Sequence, residues 1–160
     1  MILKTEIRSL PPKLLIGMKK EMSMTKNATG ELFRSFKPRR YMIPNLVDGA
    51  TWDLRVYPGD YFLTFDPSKT FIKWALAEVS ALGTLPEGME SFHIEGGLYA
   101  VFHYKGVCSD PKVFQWIFSE WLPQSGYTLD DRPHFEILTE KTRLNDPDSE
   151  EEIWVPLKLQ

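Results

Sequence analysis

Glu136 is the one residue in this chain whose type and surroundings suggest site chemistry. It sits in "RPHFEILTE", residues 132–140, inside a strand-like run. The other reactive side chains lack company. His93, His103 and His134 are scattered, with no cysteine or carboxylate at metal-ligand spacing, so no metal and no cofactor is expected. No Walker loop, G-x-G-x-x-G or G-x-S-x-G element is present. Cys108 lies just before a helix start, where a helix dipole would lower a thiol pKa. It has no visible activating partner and reads as a turn residue. Alternation puts His134, Glu136 and Leu138 on one strand face and Phe135 and Ile137 on the other. Taken alone, that pattern favours a solvent-facing Glu136 above a core of Phe135 and Ile137.

A second strand changes the reading. In "EEIWVPLKL", Ile153, Val155, Leu157 and Leu159 claim the core face, which sends Trp154 to the face where Glu136 is expected. Trp74 holds the matching place earlier in the chain. Two large rings beside a carboxylate make a poor solvent surface and a sensible pocket floor. Tyr99 or Tyr104 would complete the wall. They fall on opposite faces of one strand, so only one points inward. A carboxyl in such a cage resists ionisation.

These residues need elements to hold them. "SDPKVFQWIFSEWL" reads as a helix, with Ser109 or Asp110 as N-cap, Pro111 at its first position, and Pro123 and Gly126 at its end. "NATGELFRSFKP" reads as a shorter helix stopped by Pro38. Strand-like runs fill most of the rest, "DYFLTF" among them. The order repeats: strand 11–22, helix 27–37, strands 52–57 and 71–79; then strand 96–105, helix 111–122, strands 134–140 and 152–159. "DPSKTFIKW" and "DPDSEEEIW" match at Asp-Pro and at Trp, offset by 80 residues from Trp74 to Trp154. The expected fold class is α+β: one domain over 1–160, of two pseudo-twofold β-α-β-β repeats, about 1–83 and 84–160. Helices would cover one face of antiparallel sheets and a ligand groove would lie on the other. "SALGTLPEGMES" reads as the linker between the copies.

The composition limits the alternatives. The 160 residues carry 22 acidic and 19 basic side chains, a net charge of −3, which gives no electrostatic footprint for nucleic acid. No apolar run approaches a membrane span, and no signal-peptide layout opens the chain. One cysteine makes no internal disulfide, so a cytoplasmic setting is expected.

The stretches "IEGGLYAVFHYKG", "FQWIFSEWLPQSGY", "RPHFEIL" and "EEEIWVPLKL" resemble the GyrI-like small-molecule-binding family. That family includes the effector-binding domains of AraC- and MerR-type multidrug-sensing regulators, and stand-alone members. Its most specific parts here are G-G-x-Y-A, L-P-x-S-G-Y and P-x-F-E, and the likeness is clearest over residues 94–159. The resemblance implies a tandem β-α-β-β fold and an aromatic pocket around a glutamate, which maps onto Glu136. Leu138 departs from the pattern, since many relatives carry an aromatic there. The implied function is binding of small amphipathic, cationic lipophilic molecules by a stand-alone sensor or sequestering domain, without a helix-turn-helix of its own. Two other readings remain open: a hydrolase of strained, cyclopropane-bearing compounds using Glu136, and a protein-interaction module of the gyrase-inhibitor type.

Overall fold

The alternating runs pair into one nine-stranded sheet in the computed structural model, which describes residues 1–108 and 110–160. In chain order the elements are β1 Ile2–Leu10, β2 Lys13–Ser23, α1 Thr29–Phe36, β3 Thr51–Val56, β4 Thr70–Glu78, β5 Glu90–Ile94, β6 Gly97–Lys105, α2 from Pro111, β7 Tyr127–Leu129, β8 His134–Leu138 and β9 Glu150–Leu159. Every pairing is antiparallel, in the order β1-β6-β9-β8-β3-β4-β2-β5, with β7 beside β9. The fold class is the expected one, α+β with helices against one sheet face.

The repeat is visible in this order. β2-α1-β3-β4 forms one half and β6-α2-β8-β9 the other, and the halves meet where β3 pairs with β8. Trp74 and Trp154 lie in one cross-strand row, on either side of the central Leu54–Phe135 pair. The two Asp-Pro turns are also alike. Ser68 and Asp148 donate their backbone N–H to Asp66 Oδ1 and Asp146 Oδ1 at 2.9 and 2.8 Å. Such Asx turns place the chain to enter β4 and β9.

Two strands that the sequence reading left unassigned, β1 and β5, exchange between the halves. β1 precedes β2 but pairs with β6; β5 precedes β6 but pairs with β2. Only Pro11-Pro12 and Glu95-Gly96 join these neighbours, so the two ends of the strand order must approach and the sheet must curl. Gly96 makes the approach feasible. Its φ is +88°, and a Cβ there would stand 2.3 Å from the Leu10 carbonyl oxygen.

The curl encloses Trp52, Leu54, Trp74, Tyr99, Phe135 and Trp154 in a buried apolar cluster. On the other face, α1 covers one cluster around Ile16, Phe36 and Phe71, and α2 covers another around Phe102, Ile117 and Ile153. Asp110 caps α2 by accepting from the Lys112 N–H, with Pro111 following; Ser109, the other expected cap, lies outside the described residues. α2 runs Pro111–Trp116, continues through a π-helical turn, Ile117–Trp121, and ends with Leu122–Gln124. "DYFLTF" is not a strand; it forms turns between β3 and β4. No described helix is long and apolar enough to cross a membrane.

Candidate functional site

The register of β8 decides where Glu136 points. Phe135 stands opposite Trp154, and Glu136 stands opposite Ile153 on one side and Asp53 on the other. Opposed residues share a face. Glu136 therefore lies on the helix side, between the clusters under α1 and α2, and not with Trp154 as expected. Trp154, Trp74 and Tyr99 belong to the inner cluster, where Phe135 stacks on Trp154 with centroids 5.1 Å apart. Tyr99 is fully buried there and donates its hydroxyl to the Pro133 carbonyl at 2.8 Å. Of the expected wall, only Tyr104 shares Glu136's face, opposite Glu151. The physical reason is that the central strands are buried on both faces, so the apolar face of β8 could satisfy itself inside the curl.

The helix-side floor of these strands is charged. Asp53 and Arg55 come from β3, Lys73 from β4, His134 and Glu136 from β8, and Glu151 from β9, and all are buried. Arg55 Nη1 donates to Glu136 Oε1 at 2.9 Å. Lys73 Nζ donates to Asp53 Oδ2 at 3.3 Å and to Thr29 Oγ1, at the start of α1, at 2.9 Å. Glu136 is thus not an isolated carboxylate. Burial opposes the Arg55 charge, yet the acidic groups around it, Tyr57, Glu136 and Asp53, together raise its pKa above the usual guanidinium value. Burial first, and then Arg55 and Arg132, push His134 well below the usual imidazole range, so its ring is neutral at physiological pH.

Rings roof this floor. The Arg55 guanidinium lies 5.7 Å from the Phe114 centroid, and Phe62 stacks on His134 at 5.3 Å. Phe62 also meets Phe118 of the π-helical turn at 5.5 Å, joining the β3–β4 connection to α2. Tyr57 packs on His134 at 5.0 Å, and burial drives its pKa up to about 12. Aromatic rings over a charged floor put apolar contact surface and orienting polar groups side by side, the mixture that ligand sites use.

Residues 3–158 match the family described as GyrI-like small molecule binding domain. The chain belongs to that family. No curated protein matches it. Among solved structures, the EcmrR C-terminal domain is 12% identical, with a TM-score of 0.75 and all of both chains covered. SAV2435 bound to tetraphenylphosphonium is 16% identical, with a TM-score of 0.70 over 98% of this chain and 94% of that one. A hydrolase encoded by lin2189 from Listeria innocua is 12% identical, with a TM-score of 0.64 over 97% and 92%. At these identities the likeness shows the fold. By its family this chain is a GyrI-like small-molecule-binding domain.

Sequence reasoning did not single out Arg55, Phe62, Phe114, Phe118 or His134 for the site. One signal was available: "TWDLRVY" puts Asp53 and Arg55 on one face of an otherwise apolar strand, an unusual pair to bury without a purpose.

Proposed function

We propose that the domain binds amphipathic, ring-bearing cations between α1 and α2, over the floor that holds Glu136, as a sensor or sequestering domain in the cytoplasm. The observation that carries this reading is the ring-roofed floor, where three buried carboxyl groups, Asp53, Glu136 and Glu151, stand against two buried cationic side chains, Arg55 and Lys73, His134 being neutral. A ligand cation completes that balance, and the rings add cation–π attraction. The structural neighbour holding tetraphenylphosphonium supports the ligand class by analogy of fold. Binding is favoured over turnover because Glu136 is committed to Arg55 rather than to a group that would activate water. Ligand entry parts Phe62 from Phe118; at 44% exposed, Phe62 is the most exposed of the roofing rings.

The test is a titration with tetraphenylphosphonium and with a neutral compound of similar shape. Glu136→Gln leaves the Arg55 charge uncompensated and should weaken cation binding by roughly 1–3 kcal/mol while sparing the neutral compound. Phe118→Ala should weaken both. Equal affinities across wild type and both variants would overturn the assignment of this groove.

A further inference from the structure

The two buried bases each have an acid partner: Arg55 binds Glu136 and Lys73 binds Asp53. Glu151 is left over. It is only 7% exposed, neither of its carboxyl oxygens accepts a hydrogen bond from a described residue, and the one group in hydrogen-bond reach of its protonated carboxyl is another acid, Glu136. The ionisable groups facing it are Tyr104 on β6, Cys108 in the β6–α2 connection, Glu136 on β8 and Asp53 on β3. All are acids. An uncompensated carboxylate is costly in such surroundings, and burial, then the Glu136 charge, hold the group in its protonated form at neutral pH. The fold itself does not ask for an acid here. In the repeat frame set by Trp74 and Trp154, the matching place in β4 is Phe71, which packs into the cluster under α1.

We propose that Glu151 is the exchange site of the groove: a permanent organic cation settling between the helices takes the place of the Glu151 proton. The O–H bond breaks, its electron pair stays on the carboxylate, and the proton passes to solvent. Glu151 also lines a cleft of about 310 Å³ with His103, Tyr104, Glu140, Lys141, Glu150 and Glu152, which gives the proton a short way out. The proposal rests on the groove being the cation site, as proposed above, and adds which carboxyl answers the charge.

The experiment is calorimetric titration of the full chain with tetraphenylphosphonium, a cation with no proton of its own, in buffers of different ionisation enthalpy. Wild type should release about one proton per bound probe at pH 7.5, and its affinity should rise about tenfold per pH unit between pH 6.5 and 8.5. Glu151→Gln should bind with no proton release and no such slope. Should that variant fail to fold, carboxyl carbon NMR on wild type reads the same event, with the Glu151 resonance moving from its protonated to its ionised position on binding. Binding without proton release, or release that persists in Glu151→Gln, overturns the Glu151 assignment and leaves the groove reading standing. Absence of binding at every pH overturns both.

Discussion

Replacing Arg55 with methionine probes the polar floor directly. The Arg55 and Glu136 side chains are 10% and 5% exposed, so their pair is screened by protein and not by water. Methionine keeps most of the length but strands the Glu136 carboxylate. Breaking a buried pair from one side costs about 3–5 kcal/mol. For a chain of this length each kcal/mol moves Tm by roughly 2–4 °C, so a fall of roughly 6–20 °C is expected. The double variant Arg55→Met with Glu136→Leu removes both charges and should return to within about 1 kcal/mol of wild type, since an apolar replacement of a whole buried pair is often neutral. Urea and thermal unfolding followed by circular dichroism at pH 7.5 would measure all three proteins and Glu136→Leu alone. A cost below about 1 kcal/mol for Arg55→Met, the range of an exposed pair, would refute the buried ion pair. So would a double variant as unstable as the sum of its parts.

Three further outcomes are expected. Without ligand, wild type should lose stability relative to Glu151→Gln as pH rises from 7.5 to 9, by up to roughly 1.4 kcal/mol per pH unit. The folded Glu151 keeps a proton that the unfolded chain has already shed, so raising pH favours unfolding until the folded group itself ionises, whereas His134, with its depressed pKa, destabilises only below the ordinary imidazole range; parallel stability curves for the two proteins would contradict this. Calorimetry should show one unfolding transition, because β1 and β5 each complete the other half's sheet; separate, independently reversible transitions for 1–83 and 84–160 would count against it. Cys108→Ser should leave probe affinity within about twofold, since among the described residues the thiol bonds the Arg143 carbonyl and the Ser149 hydroxyl, at 3.5 and 3.3 Å, and faces acids rather than an activating base; covalent capture of a ligand at Cys108 would overturn that reading.

Much of the architecture was legible because its signals are local. The Asp-Pro turns, Trp74 and Trp154 report the repeat directly, and Asp110-Pro111 announces α2. The face of Glu136 was not legible, because alternation gives the parity of a strand but not which face meets which layer. A register moved by one residue would have put Glu136 opposite Trp154 and reversed the site. On strands buried on both faces, polar no longer means solvent. Asp53, Arg55, His134 and Glu136 are the case in point. β1 was missed although Lys4, Glu6 and Arg8 alternate, since its apolar positions are few and its partner, β6, is far away in sequence. β5 was hidden in an apparent linker for the same reason. "DYFLTF" misled in the other direction. Its aromatics serve as the roof, Tyr61 and Phe62 packing on Tyr57, and not as a strand.

The central claim is that ligand binds on the helix side, over the Arg55–Glu136 pair, and not inside the curl against Trp154 and Trp74. A crystal structure of the full chain with tetraphenylphosphonium tests it most directly. The account predicts the phosphonium between α1 and α2, its rings against Phe118, Phe62 and Tyr57 and its charge over Glu136 and Glu151. A probe lodged among Trp52, Trp74 and Trp154, with Phe62 still closed on Phe118, would contradict it.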